Sequence, residues 1–220
     1  MNQRHSFLIL PLLVALLAFS ACTQPTTPTT PTKETYQVIG SFAPTATNGG
    51  AVVVMSGSSP VMDATVTING NPTVCFFGAY LVDGGITVAS GDTVTINVVK
   101  GTFATTGSVV IPDEFVLNPT AATPGSSYPV TLTWSGLSPA PQAMTAIVEG
   151  SQLASGTDWT YSTVAPGTTG NILVTDLGSA ISPNTFYTVT VSAQNVTMLD
   201  GAAGSMLIGS TEQTCDITTN

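Results

Sequence analysis

The chain has 220 residues, with twelve Asp and Glu, three Lys and Arg, one His and a formal net charge of −9. So acidic a protein with so few cations cannot neutralise a run of phosphates, which excludes nucleic acid as a partner. Only 7% of residues are charged, and the β-branched and aromatic content argues for Thr-rich strands with one wet face rather than for disorder.

Met1 to Ser6 is short and polar and carries Arg4, and Phe7 to Phe19 is an unbroken apolar run. That run matches the ~7–15 residues of a secretory signal and falls short of the ~20 needed to span a bilayer. Ser20 and Ala21 follow, then Cys22. This arrangement resembles the lipobox of bacterial lipoproteins, with Phe19 where that family most often has Leu. The resemblance implies that the Cys22 thiol receives diacylglycerol, that the chain is cut before Cys22, and that the new amine is acylated. The alternative is an ordinary secretory signal cut after Ser20. Several acyl chains hold firmly, at ~0.8 kcal/mol per buried CH₂. By the sorting pattern known for lipoproteins of two-membrane bacteria, Thr23 after the Cys favours the outer membrane. In the mature chain Lys33 and Lys100 are the only cations. Anionic headgroups would repel it, so membrane contact is expected from the anchor alone.

Thr23 to Thr35 places Pro25, Pro28 and Pro31 three apart, which favours polyproline II at ~3.1 Å per residue and a spacer of ~40 Å. From Tyr36 the pattern changes to short alternating segments: strands are expected at Tyr36–Phe42, Ala51–Met55, Ala64–Ile68, Thr73–Phe77, Thr93–Val99 and Ser108–Ile111. Asn69-Gly70-Asn71-Pro72, Asp83-Gly84-Gly85 and Gly91-Asp92 supply the turns between them. Through Ala64 to Gly70, Tyr80 and Gly91 to Ile96, this part resembles the small β-sandwich modules of bacterial surface lipoproteins.

Pro112-Asp113-Glu114 reads as a boundary, and a second set of strands is expected at Tyr128–Trp134, Ala143–Glu149, Trp159–Thr163, Asn171–Thr175, Phe186–Gln194 and Glu212–Ile217. Thr131-Leu132-Thr133-Trp134 resembles an early strand of a fibronectin type III domain with its core tryptophan. Ile181 to Ala193 resembles that family's corner and following strand, which implies that Tyr187 is the corner tyrosine, its hydroxyl bonded back to the backbone. The loop from Asp200 to Gly209 has no clear place. The fold expected is all-β: a signal (1–21), a lipidated Cys and Thr/Pro linker (22–35), and two tandem antiparallel β-sandwich modules (36–116 and 117–220).

Catalytic chemistry finds little purchase. The mature chain keeps no histidine to activate a serine, and there are no His or Cys clusters for zinc. Lys100 reads as a solvated turn lysine. Asp113 and Glu114 are adjacent, so as strand residues they cannot face one sugar bond together. No cofactor motif and no Asp-rich calcium loop is present. Trp159 and Tyr161 share one face of a strand and form the candidate ligand contact, with core packing the competing explanation. Phe76 and Phe77 should point opposite ways on a strand. With Cys22 consumed, Cys75 and Cys215 form an even pair in an oxidising compartment, where a disulfide between them is expected, against a buried free Cys75. The function expected is a non-catalytic, lipid-anchored envelope protein acting as a binding, adhesion or structural module on an envelope protein or glycan. The alternative is a carbohydrate-active enzyme or sugar-binding accessory module using carboxylates and the Trp159/Tyr161 face.

Overall fold

The structure, a computed structural model, describes residues 35–44, 46–120, 131–149, 159–164, 166–173 and 186–218. Cys22, the segments on either side of it and the corner at 181–185 lie outside the described residues.

Fifteen strands are present among the described residues, and no α-helix. The first part contains β1 (Gln37–Phe42), β2 (Gly50–Ser56), β3 (Ser59–Pro60), β4 (Thr65–Ile68), β5 (Asn71–Phe76), β6 (Ala79–Val82), β7 (Thr93–Lys100) and β8 (Phe103–Val110). The second contains β9 (Val116–Thr120), β10 (Thr131–Ser135), β11 (Ala143–Glu149), β12 (Trp159–Val164), β13 (Thr169–Leu173), β14 (Phe186–Met198) and β15 (Met206–Thr218). One continuous sheet runs β12-β11-β14-β15-β1-β2-β6-β5-β4-β7-β8, with β3 paired to β2, and a separate sheet runs β13-β10-β9.

Period-two alternation explains the cores. In β7, Val94, Ile96 and Val98 are buried while Thr93, Thr95 and Asn97 face solvent. Each such aliphatic side chain contributes ~1.5–3 kcal/mol on burial. One cluster joins Val38, Phe42, Val52, Val54, Ile68, Tyr80, Ile96 and Ile111 to Leu199 and Leu207. A second joins Phe115, Leu132, Trp134, Met144, Val148, Val189 and Val191. The chain passes from the first core to the second between Ile111 and Phe115, where Pro112-Asp113-Glu114 was expected to divide it.

Two features depart from an all-antiparallel pair of modules. First, β1 lies parallel to β15, Ile39 opposite Met206 through Phe42 opposite Gly209. The sheet is therefore mixed, because the strand that opens the described fold slots between β2 and the closing hairpin. Second, β14 and β15 pair over their full thirteen residues, Phe186 with Thr218 through Met198 with Met206. At ~3.4 Å per residue the hairpin is about 44 Å long, and it lines both cores in turn. The Asp200–Gly209 stretch is its turn and the start of β15, where Ala202 carbonyl accepts from the Ser205 amide.

Register also fixes the ends of the molecule. β1 and β6 run the same way, since Val53 pairs with both Ile39 and Ala79. One end of the first unit, here the apex, therefore carries the start of β1, the turn between β5 and β6, the turn after Lys100 and the β14–β15 turn. Tyr36 and Phe103 close it from opposite layers, ring centroids 5.1 Å apart. The second core lies toward the other end.

Candidate functional site

Most of the ionisable groups are dispersed; the exception is Glu149 of β11 and Asp216 of β15, both exposed and in register on either side of Thr188. Asp92 accepts from the Ala89 amide at a turn, Asp113 and Glu114 sit on the crossing between the cores, and Asp200 is exposed on the apex turn. Lys100, the single cation among the described residues, is bonded to Asp63 at 2.5 Å. That ammonium holds the exposed Asp63 carboxyl below the ordinary carboxylate range. Among the described residues no three His, Cys, Asp or Glu side chains converge as a metal site. A shallow, open cleft is lined by Asn97, Ala104, Thr105, Thr106 and Asp200.

The expected Cys75–Cys215 disulfide is absent: both are free thiols. The register gives the reason. Cys75 pairs with Tyr80, Tyr80 with Val52, Val52 with Gly40, and Gly40 with Leu207. Cys75 is thus level with Leu207, eight residues along β15 from Cys215, a lengthwise offset on the order of 25 Å. A bridge needs Cα atoms within ~7 Å. Instead Cys75 packs against the first core and Cys215 against the second. Burial, then the neighbouring Asp216 charge, pushes the Cys215 thiol up to about 11.

Trp159 and Tyr161 occupy β12, an edge strand of the large sheet, with their side chains outside the described residues. The backbone register sets Trp159 opposite Glu149 and Tyr161 opposite Ile147. Glu149 is exposed and Ile147 half-buried, whereas Met144, Ala146 and Val148 of β11 are buried. Through Glu149 and Thr188, Trp159 is level with Asp216, far from the apex.

The side chain of Tyr187, expected as the corner tyrosine, lies outside the described residues; among the described residues Tyr80 bonds its hydroxyl to the backbone. Tyr80 Oη donates to Val61 carbonyl and accepts from the Ala64 amide, each at 2.8 Å. It thereby ties the segment from Val61 to Ala64 across the apex.

Phe76 and Phe77 do not point opposite ways. β5 ends at Phe76, and Phe77-Gly78 forms a two-residue turn with φ of 49° and 86°. These positive values carry the signs of a type I′ hairpin, which favours Asn-Gly. The chain uses that pair at the preceding hairpin, where Asn69 and Gly70 have φ of 51° and 77°. Phe77 takes the same strained backbone with a bulky side chain, a conformation costing ~1–3 kcal/mol. Phe77 is 90% exposed and Phe76 62%, their rings edge to face at 4.5 Å. Val74 and Met62 are also exposed, and Pro60 closes over Gly78 so tightly that a Cβ there would meet it at 2.9 Å. The sequence signal was present: Phe77-Gly78 separates two apolar runs as a turn dipeptide does, but reading the strand through Phe77 hides it.

No protein-family model and no curated protein sequence matches the chain.

Proposed function

We infer that this protein is a non-catalytic, lipid-anchored component of the bacterial cell envelope, outer membrane favoured, built from two sandwich-like units in tandem. It acts as a binding or structural module on an envelope protein or glycan. The observation that carries this reading is the β14–β15 hairpin, paired along its whole length and lining both cores. A shared hairpin couples the units as one strut, which suits holding a recognition surface at a fixed distance better than enclosing a reaction. Most of the described carboxylates (Asp63, Asp83, Asp92, Asp113, Glu114 and Asp200) fall outside the strands, while Glu212 and Asp216 on β15 accept from the Ser192 and Thr188 hydroxyls, an arrangement that suits recognition better than a glycosidase pair flanking one bond.

The contact edge in this reading is β12 with Trp159 and Tyr161. It lies about 35 Å along the strands from Phe76, ten residues of β15 away. The test is a pull-down from solubilised envelopes with the intact lipoprotein and with a Trp159→Ala/Tyr161→Ala variant, run beside a glycan array. A partner or glycan captured by the parent and lost by the variant is the expected result. Turnover of an arrayed glycan would replace this reading with the carbohydrate-active one.

A further inference from the structure

We propose that the Phe76–Phe77 hairpin is a bilayer-docking tip that seats the apex on the membrane to which the tether leads. The inference rests on the lipid-anchor reading of Cys22 for the identity of that membrane; the geometry of the tip is independent of it. It revises the expectation that the anchor alone touches lipid.

Three observations converge. The first is where the chain enters. The described fold begins at Thr35 on the apex, and β1 is separated from β6 only by β2, so the entry point and the turn before Ala79 are about 10 Å apart laterally. Thirteen residues, Cys22 to Glu34, precede this entry, few enough to keep the apex within ~40 Å of the anchoring surface. The tether therefore joins the fold at the apex, which places that end within reach of the surface.

The second is charge. No residue from Ala64 to Val82 is charged. At the same end, Asp63 is neutralised by Lys100. Lys100 thus offsets one of the carboxylates at this end. Among the described residues Asp200 is an uncompensated carboxylate at this end, on the β14–β15 turn at the far side of β1. Such a surface fits zwitterionic lipid and should be weakened by anionic lipid.

The third is presentation. Phe76 and Phe77 are exposed in contact with each other, Val74 is exposed on the same face of β5 two residues before Phe76, and Met62 is exposed two residues after Pro60. Phe77 holds the position its neighbouring hairpin gives to Asn, accepting backbone strain to aim an aromatic ring outward. Pro60 braces the turn against Gly78. Aromatic side chains held at the tip of a rigid turn are suited to the interfacial layer of a bilayer.

The test uses the full lipidated protein reconstituted in phosphatidylethanolamine/phosphatidylcholine vesicles with brominated acyl chains. In a Phe77→Trp variant, the added tryptophan should show a blue-shifted emission quenched at least twofold by the brominated lipid. Trp134 and Trp159 in the unsubstituted protein should be unquenched. Phe77→Asn should abolish the protection that amides 76–78 gain from hydrogen exchange on vesicles, with an equal or higher melting temperature showing an intact fold. Lys100→Gln should reduce the quenching of Phe77→Trp, and anionic lipid should do the same. Emission insensitive to brominated lipid, while the protein floats with the vesicles, would overturn the proposal. Protection of 76–78 that instead grows with protein concentration in lipid-free Cys22→Ser protein would also overturn it, in favour of self-association. Should mass spectrometry find no lipid on Cys22, the mature chain is held on the same vesicles by an N-terminal hexahistidine and a nickel-chelating lipid. Quenching there upholds the tip and its absence overturns it, whatever becomes of the anchor.

Discussion

Trp134 of β10 lies flat over Gly170 of β13, its cross-strand partner, so closely that a Cβ at 170 would fall 2.2 Å from the indole ring. The indole Nε1 donates to the Gly167 carbonyl at 3.3 Å, and the ring is almost wholly buried. The tryptophan expected to centre the second core does so because the facing strand offers it a bare backbone.

A methyl at that position must displace the ring. Gly170→Ala should destabilise the protein by ~1–3 kcal/mol, the usual cost of overpacking a core. Urea denaturation followed by Trp fluorescence reads the loss directly, and an unchanged midpoint would contradict the packing described.

Tyr80→Phe keeps the buried ring but removes the hydroxyl that joins Val61 and Ala64. Two backbone groups then lose their partner, at ~1–3 kcal/mol for the one left without water. Burial raises the Tyr80 pKa above its ordinary 10. Since the folded pKa exceeds the unfolded one, this stability is complete below about pH 10 and declines as pH rises through the folded value. An alkaline denaturation series should show that decline in the parent and a smaller one in the variant.

The two thiols should both be alkylated without reductant, giving two adducts on the mature chain by intact mass. The Cys215 thiol, held near 11, carries so little thiolate at neutral pH that its reaction should be about 100-fold slower than that of an unperturbed thiol. A mass two hydrogen atoms lighter that resists alkylation would restore the bridge.

Phe77→Asn should stabilise the fold by ~1 kcal/mol, since Asn enters the left-handed region more readily than a bulky aromatic. Thermal melts of the two proteins side by side measure it. A lower melting temperature would mean that the exposed ring packs within the fold rather than being held for a partner.

The anchor is tested by partitioning. Parent protein should enter the detergent phase, and Cys22→Ser should release it or stall processing. A mature N-terminus at Ala21 would disprove lipidation.

Period-two alternation determined the all-β class and most strands by itself: Ala143–Glu149 has the bounds read from its pattern, and Val66, Ile68, Val94 and Ile96 are buried as their alternation requires. Burial parity is local, so each strand carries its own record of which face is wet. The signal expected at Cys22 is read from equally local features, run length and neighbouring small residues. Pairing is not local. Nothing in Gln37–Phe42 says that it will lie parallel to Met206–Thr218, and nothing near Cys75 or Cys215 says that register will hold them far apart along the strands. The dual role of the β14–β15 hairpin is likewise invisible in its sequence, because one alternating face can cover two cores only if other strands arrive to be covered. The Phe76–Phe77 tip falls between these cases. Its turn dipeptide is written in the chain, but only tertiary structure decided that both rings stand exposed, because among the described residues the alternation of β5 does not continue through the turn at Phe77-Gly78.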